Sequence, residues 1–146
     1  MADGLLSSVL LPVAGPEDAE TTCTAALPHV AAAGGTVTAI YVVEKAGGGI
    51  DKASVEQREE VAAEAFDVVE RACADAGVTC ETAVRYGTDV VATIIETAED
   101  IDATAIAFTP RGGGRWIEAL TGDRTHDLVT ESDRPVVVFP ESMGGR

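Results

Sequence analysis

Short apolar runs alternate along this chain with stretches of helical periodicity, and that alternation restricts the fold more than any other feature. The runs are "VLLPVA" (9–14), "TVTAIYVV" (36–43), "VTCETAVRYG" (78–87), "ATAIAFTP" (103–110) and "PVVVF" (135–139). A strand–helix–strand alternation with no internal repeat predicts one α/β domain: a parallel five-stranded sheet with helices on both faces, Rossmann-like in kind. The domain is expected over 1–140, with 141–146 as a short flexible tail. The continuous first run reads as a strand buried on both faces, and the alternating third run as a half-exposed strand near a sheet edge. The first and fourth strands are expected to be central neighbours. Ligands of such sheets sit beyond the strands' carboxyl ends at the switch point, which here means 12–15 beside 109–114.

The connecting segments carry their own signals. Pro16 with Glu17, Asp18 and Glu20 marks a helix start, the acids set against the positive end of the dipole. This helix is expected to kink at Pro28 and to stop at Gly34-Gly35. "EKAGGGIDKAS" (44–54) reads as a mobile glycine-rich loop. Beyond it Val55, Ala62, Ala65, Phe66, Val69, Ala72, Cys73 and Ala76 share one face of a long helix ended by Gly77. Thr88-Asp89 caps a helix whose inner face is Val91, Ile94, Ile95 and Ala98, and "DRTHDLVTES" (123–132) is the last helix.

Charge excludes several functions. Among 146 residues, 25 acids face 10 bases for a net charge of −15, and the only lysines are Lys45 and Lys52. Such a surface repels nucleic acid and anionic membrane. The acids lie within periodic apolar segments, which argues against an acidic disordered tail. High Asp and Glu with scarce Lys resembles the proteins of salt-accumulating halophiles, haloarchaea especially, in which salt screens the self-repulsion. No apolar run reaches the roughly 18 residues of a membrane span. The N-terminal run lacks a basic flank, so a cytoplasmic location is expected. Cys23, Cys73 and Cys80 contain no C-x-x-C pair and read as small buried hydrophobes in a reducing compartment.

"AFTPRGGGRWIEALTGDRTHDL" carries the candidate site. Glycines between a strand and a helix bring backbone N–H groups close to a phosphate. There is no Gly-Lys-Ser/Thr for a Walker A loop, and the loop follows the fourth strand rather than the first, where a Rossmann fingerprint would stand. The segment resembles the universal stress protein family, whose mark is G-x2-G-x9-G-(S/T) between the fourth strand and the last helix. Gly112, nine residues and Gly122 fit that spacing, with Arg111 in the basic position. "VLLPVAGPEDAE" and "GTDVVATIIETAEDIDATAIAF" extend the resemblance over essentially the whole chain.

That resemblance implies a site for ATP or AMP with Mg. Its adenine side would be Pro12, Val13, Ala14 and Val42. Its ribose and phosphate side would be Thr109, Arg111, Gly112, Gly122, Asp123, Arg124 and Thr125. Three positions depart from the family pattern: Ala14 replaces an aspartate, Thr109 a glycine, and Asp123 the Ser/Thr after the last glycine. Unit charges about 4 Å apart repel by roughly 4 kcal/mol at an effective dielectric near 20. A helix N-terminus returns only about 0.3–1 kcal/mol to an anion. Asp123 therefore opposes a phosphate unless Arg111, Arg115 or Arg124 offsets it, and it can itself cap the helix.

No Ser, Cys, His or carboxylate pair forms a recognisable catalytic set. His29 and His126 lack partners at metal-ligand spacing, Asp100 and Asp102 read as a turn, and Trp116 and Tyr41 as packing residues. Pro135 to Phe139 should form an apolar edge strand, and the family resemblance implies a homodimer through it. The leading reading is a non-enzymatic stress-response module with a degenerate nucleotide site, acting through protein partners. The competing readings are an ATP- or AMP-responsive sensor with slow ATPase activity and an accessory subunit of a membrane transporter.

Overall fold

The computed structural model describes residues 4–44, 52–109 and 123–139, with side chains described from 55 in the second stretch and 127 in the third. The elements run β1 (Ser8–Pro12), α1 (Pro16–Ala33), β2 (Thr36–Glu44), α2 (Lys52–Ala76), β3 (Thr79–Gly87), α3 (Val90–Asp100), β4 (Ala105–Phe108), α4 (Asp123–Glu131) and β5 (Val136–Val138). All strand pairs are parallel, in the order β3-β2-β1-β4-β5. β1 and β4 are thus central neighbours, and the strand order reverses between them, as the burial pattern of the runs predicts.

Two apolar layers fill the two faces of the sheet. Val9, Leu11 and Val13 of the first strand and turn, with Ala107 of β4, lie under α1 and α2. Leu10, Ile106 and Phe108 point the other way, against Val91, Ile94 and Ala98 of α3 and Leu128 of α4. The period of two along β1 and β4 produces this division, and full burial of each large aliphatic or aromatic side chain contributes about 1.5–3 kcal/mol. Ile95 is only half-buried, while Val90 and Thr97, which the periodicity does not single out, are buried. On α2, Ala62, Ala65, Val69 and Cys73 are buried as expected, but Ala76, in the last turn, is exposed.

The helix ends follow local chemistry. Gly34, at φ 69°, ends α1 in the left-handed conformation. Gly35 follows because a Cβ there would lie 1.9 Å from the Leu6 carbonyl oxygen. The helix passes through Pro28 without interruption. Lys52 to Ser54, expected in the loop, already belong to α2. The rest of that loop (45–51) and the tail lie outside the described residues. Every residue of β3 is exposed or half-buried, so its edge position holds, but its alternation does not produce a buried face.

Candidate functional site

The carboxyl ends of β1 and β4 come together as the alternation requires. Register pairs Val9 with Ala105 and Leu10 with Ile106, which continues to Val13 beside Thr109. On the other side Pro12 pairs with Ile40, so Ala14 comes level with Val42. The Val13 N–H donates to the Ile40 carbonyl at 2.9 Å, extending the sheet by one residue. Five of the eleven sequence-predicted site residues, Pro12, Val13, Ala14, Val42 and Thr109, are thereby grouped at the carboxyl ends of the interior strands. Val13 packs into the layer under α1, Pro12 and Thr109 are buried, and Ala14 and Val42 stay half-buried. Arg111, Gly112 and Gly122 lie outside the described residues, as do Arg115 and Trp116. Asp123, Arg124 and Thr125 open α4, and their side chains are not described.

The helix start after β1 holds a residue whose burial the helix-start pattern did not signal. Asp18, expected as a helix-start acid, stands in the first turn of α1 and is 1% exposed. One carboxyl oxygen accepts the Ala14 N–H at 2.9 Å, and the other, Oδ1, has no partner among the described residues. Burial pushes its pKa up to about 7, and the bond from Ala14 only partly opposes this. The Thr22 hydroxyl, one helical turn on, and the Thr109 hydroxyl are also buried without partners among the described residues. Thr109 sits on the α1 side of the sheet by alternation with Ala107. Three buried oxygens without a described partner thus lie at this end of the α1 layer, where each costs desolvation energy. A sequence signal existed: Asp18, Thr22 and Ala26 recur at a spacing of four, on a face that turns inward.

Other candidates resolve into structure. His29 stacks on Phe139 with ring centroids 5.5 Å apart. Asp100 accepts from Arg85 at 3.1 Å, and Asp102, at φ 56°, lies in the turn before β4 and accepts from Arg134 at 3.1 Å. Arg134 also donates to the Ala103 carbonyl at 2.8 Å, which fixes the entry to β5. Cys23 and Cys73 are buried, but Cys80 is only half-buried. Burial pushes the Cys23 thiol up to about 12, and a hydrogen bond with Cys73 raises Cys80, so both favour the protonated form. Among the described residues no group of His, Cys, Asp and Glu could hold a metal ion, and no helix is long and apolar enough to cross a membrane.

A doubly wound sheet with two strand-to-helix turns at its switch point does not choose among families. A model of the universal stress protein family matches residues 6–140. The chain belongs to that family. Solved structures agree on the fold of this universal stress protein. A family member from Burkholderia pseudomallei is 20% identical, with a TM-score of 0.74 over 94% of this chain and 98% of that one. A universal stress protein from Archaeoglobus fulgidus in complex with dAMP is 16% identical, with a TM-score of 0.68 over 91% and 97%. Another, in complex with cAMP, is 16% identical, with a TM-score of 0.69 over 93% and 98%. No curated protein sequence matches the chain.

Proposed function

We propose that this universal stress protein is a non-enzymatic, cytoplasmic stress-response module with a reduced nucleotide site, acting as a homodimer through protein partners. One observation carries the reading. At the meeting of β1 and β4 the side chains level with the expected ligand are Ala14, which offers no polar atom, and Thr109, whose hydroxyl is buried. The nearest carboxyl, Asp18, faces inward onto the Ala14 N–H. Asp123 then adds a negative charge at the start of α4, where a phosphate would sit.

A second reading is an adenine-nucleotide sensor, ATP or AMP with Mg, in which Arg111, Arg115 and Arg124 offset Asp123. It is favoured by the dAMP and cAMP complexes of two similar structures. Calorimetric titration of ATP, ADP and AMP, with Mg²⁺ in molar KCl, separates the two when run beside Asp123→Ser. The reduced site predicts no wild-type binding and recovery in the variant, whereas micromolar wild-type binding would overturn it.

Two further parts of the proposal have their own support. β5 is one of the two edge strands, and Val138 is 44% exposed there, an apolar strand edge suited to a second copy. Val138→Lys is expected to convert a dimer to a monomer by light scattering. The acid-to-base ratio supports a halophilic protein. Thermal stability should then rise steeply between low and molar KCl, and a flat salt profile would exclude it.

A further inference from the structure

Away from the strand ends, a groove of about 590 Å³ opens between α1 and α2. Both helices cross between parallel strands, so they run side by side in the same direction. Its floor is apolar, made by Cys23 and Leu27 of α1 with Val68 and Ala72 of α2. Glu20 is the first lining residue of α1 and stands at one end with Val68. Asp75 stands at the other end, near Pro28. At 1.5 Å per residue, the eight positions from Glu20 to Pro28 separate those ends by about 12 Å. Neither carboxylate has an ion-pair or hydrogen-bond partner among the described residues.

Between the two ends lies a third acceptor. Pro28 has no N–H, so the Thr24 carbonyl is left without its helical donor, and both residues line the groove. An apolar channel with acceptors at its two ends and its middle, in a chain of net charge −15, is complementary to one kind of ligand. We propose that this groove binds a linear aliphatic polyamine. The terminal ammonium groups meet Glu20 and Asp75, the methylenes lie over the apolar floor, and an inner ammonium donates to the Thr24 carbonyl. The one cation lining the groove, Arg71, is turned to Asp67, one turn back on α2 and outside the lining. Its positive charge still opposes the ligand. The inference is independent of the nucleotide reading, because no residue is shared between the two sites.

Spermidine titrated into the full chain at low ionic strength, followed by amide NMR, is the test. Shifts should concentrate on 20–28 and 68–76. Glu20→Gln and Asp75→Asn should each weaken binding about two- to fivefold, the range of an exposed ion pair. Glu99→Gln removes the same charge from α3 and should change nothing. Pro28→Ala restores a donor to the Thr24 carbonyl and should weaken spermidine without affecting a diaminooctane, which has no inner ammonium. Arg71→Gln should tighten both amines. If Glu99→Gln weakens binding as much as the groove variants do, or if shifts spread over every acidic face, the amine merely follows net charge and the proposal fails.

Discussion

Two aspartates close strand-to-helix turns at the same end of this sheet, and they do so on very different terms. Asp89, after β3, is the N-cap of α3: at φ −133° and ψ 110°, its side chain accepts the Ala92 N–H at 3.1 Å, and it is exposed. Asp18, after β1, sits in the first turn of α1 and reaches back to the Ala14 N–H at 2.9 Å. The bonds are alike, each relieving one backbone donor. Their positions in the sheet differ. β3 is an edge strand, so water solvates the Asp89 carboxylate. β1 is central and covered by α1, so Asp18 loses water on nearly every side and keeps one oxygen without a partner among the described residues. A carboxylate's bond to a turn N–H is thus cheap or costly according to what lies over it.

The largest expected effect separates the two by pH. The Asp18 pKa is raised from its ordinary 3.8 to about 7, so the folded chain holds this proton more tightly than the unfolded one. The stability it lends is therefore complete below about 4 and lost as pH rises to 7, a change of a few kcal/mol. Urea melts across that range should show the decline in the wild type and a flatter profile for Asp18→Asn. A wild-type profile no steeper than the variant's would mean that Asp18 is solvated like Asp89.

A smaller effect of opposite sign tests the neighbouring hydroxyls. Thr109→Val and Thr22→Val each replace a buried oxygen that lacks a partner among the described residues with a methyl of similar shape, and should stabilise the protein by about 1 kcal/mol. Loss of stability in either would show that the hydroxyl has a partner. The smallest change is at the exposed turn, where Asp89→Ala should cost about 1 kcal/mol or less through loss of the cap. If that cost matched the effect at Asp18, burial would not be what distinguishes the two turns.

The fold was legible because its signals are local. Continuous apolar runs placed β1 and β4 at the centre, a period near 3.6 gave the inner faces of α2 and α3, and Gly34 and Gly77 marked helix ends that need positive φ. The meeting of the strand ends was legible in the same way, since strand order alone brings Pro12 to Ala14 beside Val42 and Thr109. Asp18 was not, because its spacing from Pro16 fits an ordinary solvated helix start as well as a buried one.

The order of the elements, the polarity of most of their faces and the excess of negative charge were already in the sequence, because they depend on composition and on residues near one another in the chain. Only the tertiary structure decided which polar atoms lost their water. Thr22 and Thr109 stand 87 positions apart, so no local pattern couples them. Their desolvation arises when α1 closes over the β1–β4 pair. The groove between α1 and α2 has the same origin: its two carboxylates lie 55 residues apart and become its two ends only because parallel strands set the helices side by side.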